Sequence, residues 1–205
     1  MAVQPDDAGM DARTMIDQQT FTGVVDRTLG AALVTRGYEP TEQGGFQLRF
    51  QKESSFVEVT YDAARSQELS IWLGELPVDA EPPLELADVL RASECNADDI
   101  RFAELIQASD ADALERLMRR AADLLLGCAS KFLADGHDAF RAARQLRSER
   151  AAEYTRGLRD RAVLEASDVA WTNRDYGRVH DLLNPIKDSL DHSHRRRLAF
   201  AEKRL

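Results

Sequence analysis

The sequence predicts an α+β fold: a three-stranded antiparallel meander packed with helices, followed by an α-helical C-terminal extension. Three observations support this prediction. Apolar residues first recur at helical spacing, then alternate with polar residues in three successive runs, and then return to helical spacing for the rest of the chain. A chain of 205 residues, 43% of them hydrophobic and 31% charged, is long and apolar enough to bury a core.

We divide the chain into four segments. Residues 1–12 are small, polar and acidic and are predicted to form a disordered arm. Residues 13–136 are predicted to form the α+β domain, residues 137–160 a charged bridging helix, and residues 161–205 a helical hairpin-like segment. Most of the predicted core therefore lies in the second segment.

The first elements of the α+β domain follow from the spacing of its apolar residues. Helical spacing from residue 14 onward, ended by Gly37, predicts one amphipathic helix. Alternating apolar and polar residues predict three strands, at residues 46–50, 57–61 and 69–73. Phe56 and Trp72 would point to the opposite face from the alternating set, so a second layer or a partner must cover them if they are buried.

Two helices are predicted after the meander. An acidic linker at residues 77–83 precedes a short helix, and Ser109 with Asp112 forms a capping-box variant that opens the clearest helix of the chain. Its apolar stripe includes Leu114, Leu117, Met118, Ala121, Leu124, Leu125, Cys128 and Phe132. Cys128 is therefore predicted to be a core thiol, and its separation from Cys95 gives no support for a disulfide.

The C-terminal segment regains apolar seams. A polar turn at residues 173–175 separates the first two seams, and Pro185 either kinks or ends the second helix. The segment resembles a single tetratricopeptide-like helical hairpin followed by a further helix, over residues 161–205 only. The residues that carry this resemblance are Ala170-Trp171, Asp175-Tyr176, Leu182-Leu183, Pro185, Arg197-Leu198 and Ala201. A plain three-helix cap is the alternative interpretation.

Charge is divided unevenly along the chain. Residues 1–140 carry 12 Lys and Arg against 26 Asp and Glu, a net charge of −14, whereas residues 141–205 carry 15 against 10, a net charge of +5. The sum is the −9 of the whole chain. The acidic residues between 79 and 115 favour either a surface for a basic partner, as in small immunity proteins, or simple solubility.

The sequence contains no motif that indicates catalysis. Phosphate-binding glycine loops, a nucleophile elbow and a zinc-protease helix motif are all missing. His180, His192 and His194 are too few and too differently directed for a zinc site, so we predict no catalytic residue, cofactor or metal ligand. An enzyme whose residues converge only in space remains an alternative. Without a leader-like start or an apolar run near membrane length, the chain is predicted to be cytoplasmic, with no membrane partner.

The predicted function is a non-enzymatic protein-interaction module, with an accessory or immunity-type role in a bacterial conflict system as one form of it. The missing catalytic signatures, the opposite charges of the two parts and the hairpin-like end motivate this prediction. The candidate partner-binding residues are Phe56, Trp72, Trp171, Tyr176, Arg195, Arg196 and Arg197. A nucleic-acid-associated regulator that uses the basic residues from Arg141 to Arg204 is the alternative, and the net negative charge disfavours it.

Overall fold

A computed structural model of the chain describes residues 16–77, 81–134 and 136–205. The predicted disordered arm, residues 1–12, lies outside the described residues. Within them the fold is α+β, with an antiparallel sheet packed with helices and a helical C-terminal region, which confirms the predicted fold class. The chain divides into two compact units, the first ending at Leu146 and the second spanning Arg147–Leu205.

The first unit opens with a helical segment. Helix α1 spans Gln18–Val25, a π-helical turn covers Asp26–Gly30, and α2 spans Ala31–Val34. The Asp17 carboxylate caps α1 by accepting a backbone N–H from the first turn at 2.7 Å. Gly37 then adopts a φ of 85°, a conformation that glycine takes without strain, and the chain turns into the sheet.

The sheet has the strand order β1-β2-β3-β4-β5, and β6 pairs with β4 as well. All the pairings are antiparallel. The strands are β1 Glu39–Gly44, β2 Gln47–Lys52, β3 Ser55–Tyr61, β4 Glu68–Glu75, β5 Leu84–Glu85 and β6 Ile106–Gln107. The predicted meander is β2 to β4, and the other three strands are additions to it.

The register of the meander explains which face is buried. Val57 pairs with Phe50 and Leu73, so three apolar side chains form one row across the sheet. Leu48, Val59 and Ile71 form the next row. All six are buried. This face of the sheet packs against the helices of the first unit and forms its core.

Three further helices and a 3-10 turn complete the cover of the sheet. Their bounds are α3 Leu86–Ala92, α4 Ala97–Glu104, α5 Ala111–Leu126 and the 3-10 turn Ser130–Phe132. The predicted capping box at the start of α5 is wrong in one detail. The carboxylate of Asp110, not the Ser109 hydroxyl, accepts the N–H of Ala113 at 2.8 Å. An ionised carboxylate is the stronger acceptor at this position, where the free backbone amides carry partial positive charge.

The prediction that Cys95 and Cys128 are not paired is wrong. The two residues form a disulfide bond, with their Cα atoms 6.3 Å apart, within the usual range for such bonds. Cys128 is exposed and lies beyond the end of α5, so it is not a core thiol. The apolar stripe of α5 ends at Leu126 because Gly127 interrupts the helix. The turn that follows brings Cys128 to the loop between α3 and α4.

Helix α6 spans His137–Thr172 as one continuous element. It includes both the predicted bridging helix and the first predicted seam of the C-terminal segment. Helix α7 follows at Tyr176–Leu183, a 3-10 helix at Asn184–Ser189, and α8 at His192–Glu202. Of the two expectations for Pro185, the structure supports the second, since α7 ends two residues before the proline.

The second unit has a small core of its own. It is formed where the C-terminal part of α6 meets α7 and α8. The buried residues are Ala170, Val179, Leu183, Leu190, Leu198 and Ala201. Trp171 and Tyr176 are partly buried at its edge, so their rings contribute both to the core and to the surface.

Candidate functional site

The surface of the second unit carries an open cleft of about 380 Å³. One wall comes from α6 and the other from α8. The lining residues are Trp171, His192, Ser193, Arg196, Arg197 and Phe200. The set combines two aromatic rings with two guanidinium groups, and we call it the aromatic–arginine cleft.

Two aspartates set the turns that assemble the cleft. Asp175 caps α7 by accepting the N–H of Arg178 at 3.1 Å, and Arg174, in the turn after α6, has a φ of 58°. Asp191 caps α8 by accepting the N–H of His194 at 2.8 Å. Short capped turns of this kind reverse the chain direction, which brings residues near position 200 back to the end of α6.

Three aromatic rings meet at the cleft. The ring centroids of Trp171 and Tyr176 are 5.6 Å apart, those of Trp171 and Phe200 5.4 Å, and those of Tyr176 and Phe200 5.3 Å. Each pair has an edge-to-face geometry, the arrangement favoured by the ring quadrupoles. Phe200 remains 38% exposed, so the cluster presents apolar surface to the cleft.

The two cleft arginines differ in how they are held. Arg197 donates to the Asp168 carboxylate and lies over the Trp171 ring at 5.6 Å, so its position is determined from two sides. Arg196 is exposed, and among the described residues no acidic side chain pairs with it. The cleft therefore holds one fixed cation and one that is open to an anionic ligand.

A histidine links the base of the cleft to the cap of α8. His194 Nε2 lies 3.3 Å from Asp168 and its Nδ1 lies 3.0 Å from Asp191. The backbone N–H of His194, followed by its side chain, lowers the pKa of Asp191 below the ordinary value. The carboxylate that caps α8 therefore stays ionised to a lower pH than an ordinary aspartate.

The structure brings four of the predicted partner-binding residues together. Trp171, Arg196 and Arg197 line the cleft, and Tyr176 packs behind it against the Trp171 ring. Arg195 is exposed on α8 but does not line the cleft. Sequence reasoning missed Phe200, and it considered His192 for a zinc site but not for a partner-binding surface. The signal for Phe200 is its spacing: it follows Arg196 by four residues, which places both on one face of a helix.

Phe56 and Trp72 belong to the first unit, on the sheet face opposite the core. Phe56 is only 3% exposed, because its ring lies on Gly74 of the neighbouring strand and under the Arg49 guanidinium, 4.8 Å from the ring centroid. Trp72 is half-buried beside its cross-strand neighbour Glu58. Phe56 thus offers a partner little surface, whereas Trp72 remains accessible.

Two arginines of the predicted nucleic-acid surface form ion pairs within the first unit. Arg144 is largely buried and donates to Glu75 at 2.5 Å, and Arg141 pairs with Asp138 at 3.3 Å. The first of these contacts takes a positive charge away from the surface. Several side chains of the acidic stretch are also neutralised locally, through the pairs Asp88–Arg91, Glu104–Arg91, Asp99–Arg120 and Asp98–Arg101.

Glu75 is the centre of an ionic cluster in the first unit. His137 Nδ1 and the Arg144 guanidinium both contact its carboxylate, and Glu81 lies 3.1 Å from Arg144 Nε. Burial opposes ionisation of Glu75, but the hydrogen bonds from Arg144 and His137 outweigh it, so the pKa of Glu75 lies below its ordinary value. The cluster ties the start of α6 to the end of β4.

In the described part of the chain, no three His, Cys, Asp or Glu side chains are grouped so that they could hold a metal ion. None of the helices there has the length and apolar character needed to cross a lipid bilayer. Comparisons with protein-family models, with curated proteins and with solved structures give no significant match.

Proposed function

We propose that the protein is a protein-interaction module whose second unit binds an acidic segment of a partner protein in the aromatic–arginine cleft. One observation carries the proposal: the exposed Arg196 guanidinium lies beside the exposed Phe200 ring in a single concave site. Tryptophan, tyrosine and arginine are the side chains most enriched in the energetic centres of protein interfaces. A carboxylate that bonds Arg196 would place the rest of its segment over Phe200 and Trp171.

A protein ligand is favoured over a nucleic acid because the cationic surface is short. Nucleic-acid binding draws on many phosphate contacts along a continuous track. Here Arg197 is already paired with Asp168, and Arg144 with Glu75. Residues 147–205 hold 13 Lys and Arg against 10 Asp and Glu, so the second unit has a net charge of only +3. The cleft matches one or two side chains of a peptide rather than a polymer backbone.

The proposal is tested by peptide binding measured through Trp171. The Trp72→Phe substitution leaves Trp171 as the one remaining tryptophan, since the chain has two. The probes are an immobilised or titrated peptide of alternating Glu and Phe, the same peptide with Lys in place of Glu, and a single-stranded oligothymidylate. We expect the acidic peptide to change the fluorescence of Trp171 and the basic peptide to leave it unchanged.

Two variants decide whether the cleft is responsible. Arg196→Glu should weaken binding of the acidic peptide by at least about tenfold, because a charge-assisted contact becomes a repulsion. Arg178→Glu is the matched control, since Arg178 is an exposed arginine of the same unit that does not line the cleft. An equal loss of peptide affinity in Arg196→Glu and Arg178→Glu would overturn the proposal. Binding of oligothymidylate in preference to the acidic peptide would overturn it as well.

A further inference from the structure

The middle of α6 is a helix whose whole circumference faces solvent. All twelve residues from 148 to 159 are exposed, among them two large apolar side chains, Tyr154 at 69% and Leu158 at 46%. A helix with no tertiary contacts is stable only if its own side chains form many pairs along it, or if another chain packs against one of its faces. The exposed apolar side chains of this stretch, Tyr154 and Leu158, indicate which face of the helix another chain would cover.

Seven residues of α6 form one stripe along the helix. The spacings along it are three, four, four, three, four and three, so its members lie within about 40° of a common line on a helix that turns 100° per residue. The stripe, which we call the α6 stripe, consists of Arg147, Arg150, Tyr154, Leu158, Arg161, Glu165 and Asp168. Two arginines lie at its N-terminal end and two carboxylates at its C-terminal end, with Tyr154, Leu158 and Arg161 between them.

We infer that the α6 stripe is a self-association surface, on which a second copy of the chain packs its own α6 in the antiparallel direction. A two-fold axis between residues 157 and 158 places Arg147 opposite Asp168 and Arg150 opposite Glu165 of the second copy. It also places Tyr154 opposite Arg161, a cation–π arrangement. Each contact occurs twice, as an interface with two-fold symmetry requires.

The two Leu158 side chains meet at the centre of this pair. Gly157, beside them, has open space around it, so the two helices can approach closely at the axis. The paired segment from Arg147 to Asp168 is about 30 Å long. A parallel pairing would instead set arginine against arginine and carboxylate against carboxylate, which costs free energy. The charge pattern therefore specifies both the occupant of the surface and its direction.

Asp168 contributes less to the association than Glu165. Asp168 already contacts Arg197 and His194 on α8, although it stays partly exposed. Glu165 is exposed, and no ion pair with another described residue engages it. Reversal of the contact that involves Glu165 is therefore more informative than reversal of the contact that involves Asp168.

The inference is tested on the full chain by sedimentation velocity over a wide concentration series. We expect a monomer–dimer equilibrium that weakens as salt is added, because the contacts between the copies are largely ionic. Arg150→Glu and Glu165→Arg should each weaken the dimer by about tenfold or more, since two symmetric pairs become repulsive at once. The double variant, which exchanges the two charges, should recover association.

Arg159→Glu provides the matched control, because Arg159 is an exposed arginine on the opposite face of the same helix turns. A second measurement is cross-linking through Leu158→Cys, which should give a disulfide-linked dimer under mild oxidation, whereas Arg159→Cys should not. A chain that stays monomeric at every concentration, or a dimer that responds equally to Arg150→Glu and Arg159→Glu, would overturn the inference. Neither outcome bears on the proposed function, because none of the residues substituted in this test lines the aromatic–arginine cleft.

Discussion

The disulfide between Cys95 and Cys128 joins the loop after α3 to the turn after α5. The bond closes a loop of 33 residues that contains α4, β6 and α5. Closing a loop of this length removes conformational freedom from the unfolded chain and stabilises the fold by about 3–4 kcal/mol. We therefore expect dithiothreitol, or the double substitution Cys95→Ser and Cys128→Ser, to lower the free energy of unfolding by about that amount.

Urea unfolding followed by circular dichroism checks this prediction. The serine variant is its own control, because dithiothreitol should leave the stability of that variant unchanged. Detection of two free thiols in the native protein, isolated without reductant, would contradict the prediction. A native disulfide would also favour an oxidising environment over the cytoplasmic location that the sequence predicts.

The stability of the first unit should depend on pH through Glu75. Since the pKa of Glu75 is lowered in the folded state, its ionised form stabilises the fold above the ordinary pKa of 4.5, and this stabilisation is lost as the pH falls through the lowered value. Glu75→Gln should lower the free energy of unfolding by about 1–3 kcal/mol at neutral pH, because two charge-assisted contacts weaken. The difference between the two proteins should shrink as the pH falls below 4.5 and the Glu75 carboxylate becomes protonated.

Urea unfolding at a series of pH values measures this difference. Glu81→Gln is the comparison, since Glu81 also lies near Arg144 but its side chain is more than half exposed. We expect an effect below about 1 kcal/mol for that variant. If the loss of unfolding free energy in Glu75→Gln stayed the same from neutral to acid pH, this result would count against the ionic role of Glu75.

The close packing of Phe56 on Gly74 gives a third prediction. The Phe56 ring occupies the space that a Cβ atom would take at position 74, directly across the strand pair. Gly74→Ala should therefore displace the ring and lower the free energy of unfolding by about 1–3 kcal/mol. Gly44→Ala is the matched control, since a Cβ there meets no other atom within 4 Å, and should change stability by less than about 0.5 kcal/mol. Comparable losses in both variants, measured by thermal unfolding, would contradict the prediction.

The part of the fold that was predicted correctly is the part that apolar periodicity specifies. Strands β2 to β4 have one buried and one partly exposed face, so their alternation is visible in the sequence. Strand β1 was missed because its residues, such as Glu39 and Thr41, are polar and exposed. It is held by pairing with β2, and backbone pairing leaves no trace in side-chain periodicity.

Contacts between residues distant in sequence account for the rest of what was missed. Cys95 and Cys128 are adjacent only because the chain between them folds back on itself, and no spacing rule specifies that approach. The candidate partner-binding residues from the sequence include Trp171, Arg196 and Arg197, but the sequence does not show that they share a cleft. Phe200 joins them only after the turns at Asp175 and Asp191 have reversed the chain twice. The tetratricopeptide-like resemblance of this region stays a prediction.

The last prediction separates the wall of the cleft from the core beneath it. Phe200→Ala removes a ring that is 38% exposed, so we expect a loss of no more than about 1.5 kcal/mol of stability, together with loss of acidic-peptide binding. Leu183→Ala empties a fully buried site in the same unit and should cost about 2–5 kcal/mol. Thermal unfolding and peptide titration of both variants give the comparison. If Phe200→Ala destabilised the unit as much as Leu183→Ala, the ring would be a core residue, and its effect on binding would say nothing about recognition.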